Sequence, residues 1–169
     1  MKMKRMIRGA TADDAEALGR MHYASWREAY GPLLPEGFFS AEGEARRVEQ
    51  WQRILAAPSG TTTLRIAVRD DEVVGFAASG SARPNETAGP PVRDRELWSV
   101  YVLASEYGTG LAHELLTAVL PDDVPAELWV FEANPRARAF YAKHGFAPDG
   151  ARHVFGPEWG DQAEIRLVR

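Results

Sequence analysis

The segment that most limits the fold is the run Glu96-Leu97-Trp98-Ser99-Val100-Tyr101-Val102, rich in β-branched and aromatic residues and followed shortly by Gly108-Thr109-Gly110. From Leu111 the spacing changes. Leu111, Leu115, Ala118 and Val119 recur at the three- and four-residue intervals of an amphipathic helix, predicted over Leu111 to Leu120. A connector over Pro121 to Pro125 leads to a second β-prone run, Ala126 to Phe131. The order strand, helix, strand makes these two strands parallel neighbours, because two strands joined through a crossover helix run the same way.

The rest of the chain is read around this unit. Ile7 to Ala10 can form a first strand, and Thr11 with Asp14 three residues later marks a helix start with acidic groups near the positive end of its dipole. That helix runs to Tyr30, with Leu18, His22, Trp26 and Tyr30 on one face, and Gly31-Pro32 stops it. Ser40 to Ala57, with Val48, Trp51 and Leu55 on a stripe, predicts a second helix. Thr62 to Val68 and Val73 to Ser79, joined at Asp70-Asp71-Glu72, predict an antiparallel hairpin, and the proline-rich stretch Arg83 to Val92 a surface loop. Asn134-Pro135 opens a last helix, with Asn as cap and Pro at the first helical position; Gly145 closes it, and strands over Phe146 to Val154 and Ala163 to Val168 follow.

Composition removes several functions. With 169 residues the chain is the size of one domain, spanning 1–169, so one site is sought rather than two. A formal charge of −4 gives no overall basic field for binding nucleic acid. The chain has no cysteine, which excludes disulfides, thiolate nucleophiles and Cys-based zinc sites. His22, His113, His144 and His153 show no metal-ligand spacing, so no metal is expected. The basic start, Met1-Lys2-Met3-Lys4-Arg5-Met6-Ile7, is followed by no apolar run of signal-peptide or membrane-span length, and a cytoplasmic protein without a membrane partner is the expectation.

The glycines sit where a helix begins, and the first backbone N–H groups of a helix lack partners at the positive end of its dipole, which suits an anion such as a pyrophosphate. Glycines also occur in plain turns, so the motif alone leaves both readings open. A dinucleotide fold would need its third glycine where His113 stands and its turn near the first strand; a Walker-type Gly-Lys-Ser/Thr is missing.

Three segments together resemble the GNAT acetyltransferase superfamily: Glu96 to Ala112, Glu127 to Phe131, and Asn134-Pro135-Arg136-Ala137-Arg138-Ala139-Phe140-Tyr141-Ala142-Lys143-His144-Gly145-Phe146. The last is similar to the N-x-x-A-x-x-F-Y-x-x-x-G-F pattern of that family. The opening, Ile7-Arg8 with Ala10-Thr11 and Asp13-Asp14, also resembles many of its members. Tyr107 departs from the pattern, because the family usually carries Arg or Gln just ahead of the glycines.

The resemblance implies an α/β (α+β) fold with a central mixed, mostly antiparallel sheet flanked by helices, and acetyl-CoA as co-substrate. It places the pyrophosphate on Tyr107, Gly108, Thr109, Gly110, Leu111, Ala112 and His113, and the pantetheine arm on backbone groups near Tyr101 and Val102, between strands that splay apart. Asn134 and Tyr141 would also meet the coenzyme. Glu96, at the place of the glutamate base in part of the family, is the expected proton acceptor. Tyr141 is the expected donor to the leaving CoA thiolate, and Trp26 and Tyr30 are expected to wall the acceptor pocket.

The reaction so implied is acetyl transfer from acetyl-CoA to a primary amine, with small molecules the favoured acceptors, by direct attack in a ternary complex. An amine with pKa ~10.4 is neutral in only about one molecule in two thousand at pH 7, hence the need for a base. Acetylation of a protein N-terminus or lysine, and a catalytically silent CoA-binding sensor, remain alternatives, and a homodimer is compatible with the chain.

Overall fold

In the computed structural model, which describes residues 5–169, the β-prone runs join one seven-stranded sheet. Its strands are β1 (Arg5–Arg8), β2 (Thr63–Arg69), β3 (Glu72–Ser81), β4 (Arg95–Val102), β5 (Glu127–Phe131), β6 (Ala147–Val154) and β7 (Ala163–Val168), in the spatial order β1-β2-β3-β4-β5-β7-β6. Only β4 and β5 are parallel; every other neighbouring pair is antiparallel, as the expected mixed sheet requires. The basic run Met1 to Lys4 lies outside the described residues.

Among the described residues four α-helices flank the sheet: α1 (Ala15–Tyr30), α2 (Ala41–Ala56), α3 (Leu111–Val119) and α4 (Pro135–Lys143). Alternation along the strands divides the core between two faces. Ile66 and Phe76 point toward α1 and α2, where they pack with Leu18, Met21 and Trp51. Ala67 and Ala77 point the other way, into a cluster that holds Leu111, Leu115 and Leu116 of α3 and Tyr141 of α4. Gly19 lets α1 and α2 cross closely, since a Cβ there would stand 2.6 Å from the Val48 Cα.

The first strand lies earlier than expected, over Arg5–Arg8 instead of Ile7 to Ala10. Its pairing with β2 runs from Arg5 opposite Arg69 to Arg8 opposite Ile66, and the end of that pairing sets the limit at Arg8. Thr11 is then free to start the helical segment: its N–H donates to the Asp14 carboxylate at 2.7 Å. Arg8 donates two further bonds to Asp14 at 2.8 Å each, and these hold the Asp14 carboxyl down to about 2 against the opposing effect of burial. The hairpin turn falls on Asp70 and Asp71, whose φ values of 50° and 67° lie in the left-handed region that Asp tolerates better than most residues.

What matters for function is the junction of β4 and β5. They share a single aligned pair, Glu96 opposite Glu127, and separate beyond it, while β5 pairs along all five of its residues with β7. Fully buried Glu127 ties the pair at its start, accepting the N–H groups of Val92 at 2.7 Å and Arg93 at 3.0 Å. Held at one end and free at the other, the strands leave a wedge-shaped opening through the sheet.

Candidate active site

A cleft of about 1020 Å³ passes through this opening, from the glycine turn on the α3 side to the C-terminal half of α1. A smaller cavity of about 370 Å³ shares Leu97, Trp98, Tyr101, Trp129 and Glu164 with it and extends toward Arg83 and Asn85. No group of three or more His, Asp or Glu able to hold a metal occurs among the described residues, and none of their helices is long and apolar enough to cross a membrane.

At the α3 end the wall is main chain. Gly108 and Gly110 have φ of 75° and 85°, and a Cβ at either would meet nothing within 4 Å, so this stretch of backbone is uncovered. Gly110 caps α3 without a side-chain bond, and the N–H groups of Ala112 and His113 have no partner in the helix they begin. The turn is braced from beneath. The Thr109 hydroxyl donates to the Glu106 carbonyl at 2.8 Å, and the buried Glu106 carboxylate takes the Arg69 guanidinium at 2.7 Å.

Tyr107 stands beside the glycines and carries Arg136 of α4 on its ring face, the guanidinium carbon 3.4 Å from the ring centre. Both line the cleft, with Lys143 and His113 nearby. A cation therefore reaches this end from α4, although the turn itself lacks the Arg or Gln of the family pattern.

In the opening, strand alternation decides which backbone groups are available. Leu103 N–H donates to the Val74 carbonyl at 3.0 Å, so Leu103 and, two residues back, Tyr101 turn their main-chain groups toward β3. Val100 and Val102 turn theirs toward the gap. The Tyr141 phenol, buried and lining the cleft, has its pKa raised by burial and then by the proximity of Tyr30, so it is protonated at neutral pH. Asn134 also lines the cleft; its side chain caps α4, accepting from Ala137 N–H at 3.1 Å, with Pro135 at the first helical position.

The α1 end is built of side chains. Trp26 and Tyr30 both line it, their rings 4.8 Å apart, and Phe131, Phe155 and Trp159 complete an aromatic wall. The indole N–H groups of Trp26 and Trp98 are buried without partners among the described residues, leaving two donors at the cleft wall. His22 lies behind this wall. Its Nδ1 accepts the Trp51 indole N–H at 3.0 Å, its ring stacks on Tyr101, and burial, followed by the charge of Arg47, pushes its pKa down to about 3. It is a neutral packing residue.

Two carboxylates stand near the opening. Glu96, 4% exposed, is gripped by Arg83: the backbone N–H donates to Oε1 at 3.2 Å, and the guanidinium donates to Oε2 at 3.1 and 2.5 Å. Glu164 of β7 forms no ion pair of its own among the described residues; it accepts only a long bond, 3.4 Å, from Asn85. Burial, reinforced by the charge of Glu96, pushes its pKa up to about 7 despite Asn85 and Arg83. The sequence did not single out Glu164. Ile165 and Leu167 face the core, which puts Glu164 and Arg166 on the opposite face, but only the placement of β7 beside β5 brings that face to the cleft.

A profile of the Acetyltransferase (GNAT) family matches residues 22–146. The chain belongs to this family. A relative, the probable N-acetyltransferase Rv2775 of Mycobacterium tuberculosis, is 26% identical over 154 residues, covering 89% of this chain and 84% of its own. Among solved structures the fold is similar to the PaiA N-acetyltransferase of Thermoplasma acidophilum in complex with coenzyme A, with TM-score 0.72, 16% identity and coverage of 99% of this chain and 100% of that one. It is also similar to Arabidopsis thaliana NAA60 in complex with a bisubstrate analogue, with TM-score 0.65, 18% identity and coverage of 98% and 97%. The GNAT chain described here is thus an acyltransferase dependent on acetyl-CoA.

Proposed function

We propose that this GNAT enzyme transfers the acetyl group of acetyl-CoA to the primary amine of a small molecule, by direct attack within a ternary complex. The observation that carries this reading is the continuous cleft: an uncovered helix N-terminus at one end, an aromatic chamber at the other, and the strand opening between them. The pyrophosphate would rest on the main chain from Gly108 to His113, with Arg136 adding positive charge. The pantetheine arm would take the place of the missing β4 to β5 bonds, using the groups of Val100 and Val102.

The chemistry then follows from what lines the opening. An ammonium loses its proton to a carboxylate of the Glu96 and Glu164 pair, and the free amine attacks the thioester carbon. The Val102 N–H, turned into the gap, stabilises the oxyanion. As the carbon–sulfur bond breaks, the Tyr141 phenol donates to the departing thiolate. The chain has no cysteine, so no acetyl-cysteine intermediate divides the reaction, which supports direct attack with both substrates bound.

The test is release of CoA thiol from acetyl-CoA with a panel of amines, with calorimetry of CoA binding alongside. Tyr141→Phe is expected to lower kcat about 30-fold, with the KM for acetyl-CoA changed less than twofold. Absence of CoA binding in the intact protein would overturn the reading.

A further inference from the structure

Resting on that reading, the geometry points to Glu164 of β7 as the proton acceptor of the transfer, and to an acceptor amine that carries an aromatic-sized apolar body. Of the two carboxylates near the opening, Glu96 has both oxygens committed to Arg83. Glu164 has one long bond from Asn85 and lines both the main cleft and the smaller cavity joined to it. In the sheet it stands opposite Phe131 on one side and His153 on the other, so the aromatic wall begins at its own neighbour.

The chamber around it is largely aromatic, its other polar groups being neutral: the indole N–H groups of Trp26 and Trp98 and the Tyr30 hydroxyl. Trp26, Tyr30, Phe131, Phe155 and Trp159 interlock edge to face or stacked, with ring centres 4.7 to 6.4 Å apart. An ammonium group is attracted to such faces and to a lone carboxylate, while an apolar body displaces water from the remaining surface. A polyamine or an acidic amine would leave charge unpaired there.

The proton balance is simple. Glu164 accepts one proton from the ammonium; the neutral amine forms its bond to the acetyl carbon and the carbon–sulfur bond breaks. Tyr141 donates its phenolic proton to the thiolate and is reprotonated from the new amide nitrogen through water, while Glu164 returns its proton to solvent. Amine cation and acetyl-CoA become amide, CoA thiol and one released proton.

A carboxyl that is half-protonated near neutrality suits this task, because it is ionised often enough to accept a proton and basic enough to hold one. Burial sets this balance first, then the charge of Glu96 of β4, with Asn85 and Arg83 of the loop after β3 acting the other way; His153 of β6, opposite Glu164 in the sheet, is itself bonded to the Thr87 hydroxyl at 2.6 Å. Arg166, on the same face of β7, is occupied by Asp149 at 2.8 Å. Glu96 is thus a positioning residue whose negative charge keeps Glu164 basic.

The experiment compares the wild type, Glu164→Gln and Glu96→Gln with 2-phenylethylamine, spermidine, glutamate and a short peptide with a free N-terminus. For 2-phenylethylamine, Glu164→Gln is expected to lower kcat/KM at least 100-fold and abolish the acid-side inflection near pH 7; Glu96→Gln is expected to move that inflection to lower pH. Calorimetry in two buffers of different ionisation enthalpy provides a readout besides turnover. Binding of 2-phenylethylammonium to the CoA complex should release a fraction of a proton at pH 7, and the release should vanish in Glu164→Gln.

Turnover and an inflection unchanged in Glu164→Gln, or amine binding without proton release, would overturn the assignment while leaving the transferase intact. Preference for spermidine, glutamate or the peptide would overturn the apolar-body assignment. Loss of CoA binding in the wild type would instead remove the acetyl-transfer reading on which both rest.

Discussion

The two ends of the cleft are made of different materials. At the α3 end the contacts are main-chain N–H groups on a turn whose glycines leave the backbone uncovered. At the α1 end they are side chains from α1, β5, β7 and the segment between β6 and β7, brought together only by the sheet. The first end can change its side chains and keep its chemistry; the second is only its side chains. On the proposed reading, Tyr107 is accommodated because the uncovered backbone of the turn does not depend on it and Arg136, stacked on the Tyr107 ring, places a cation beside the turn from α4.

The largest effect expected from breaking this division is at Gly110. With φ of 85°, Gly110→Val places a β-branched residue where L side chains are strained, and the KM for acetyl-CoA is expected to rise about 100-fold while the chamber remains folded. Steady-state kinetics with near-UV circular dichroism would check both parts.

Next comes acid, which should weaken the α1 side first. The folded-state pKa of His22 is about 3, below its unfolded value of about 6.5, so its stabilising contribution is complete above pH 6.5 and is lost as pH falls toward 3. Between pH 7.5 and pH 5 we expect the wild type to lose about 2 kcal/mol more in urea unfolding than His22→Gln, which retains an acceptor for Trp51; the comparison cancels the opposite contribution of Glu164.

Arg136→Ala should raise the KM for acetyl-CoA about tenfold, more at low salt than at high salt, and leave the amine KM unchanged. An equal effect on both substrates would show that the two ends are not independent. The smallest effect is one of stability. The pKa of Glu164 lies above its unfolded value, so its ionisation at high pH opposes folding. Glu164→Gln is expected to stabilise the protein at pH 8 by about 1 kcal/mol, allowing for the part of the side chain that water still reaches, and the gain should disappear below about pH 4.5.

The same division governs what could be read from the sequence. The glycine turn, the Asn134 cap with Pro135, and the β4-α3-β5 unit are local, and their spacing marks them directly. Trp26 and Tyr30 were legible as one face of a helix, because a period of about four residues is itself a position in space. Glu164 was not: alternation gives it a face of β7, but the face acquires its neighbours from the strand order β5-β7-β6. Arg136 sat within a recognised motif, yet its place over Tyr107 depends on how α4 meets the turn ahead of α3. The first strand was displaced for a related reason, since the limits of an edge strand come from its partner, here β2.

The single rung between β4 and β5 has a consequence for turnover. If the pantetheine arm closes that seam, it does so equally well with or without its acetyl group, since the amides that would bond to the strands are the same in acetyl-CoA and CoA. The product is then held by the same lattice of bonds that admitted the substrate, and completing a cycle means unzipping a molecule that has become a strand. Departure of CoA, not acetyl transfer, would set the pace for a good acceptor, and a burst of amide in the first turnover would be its signature.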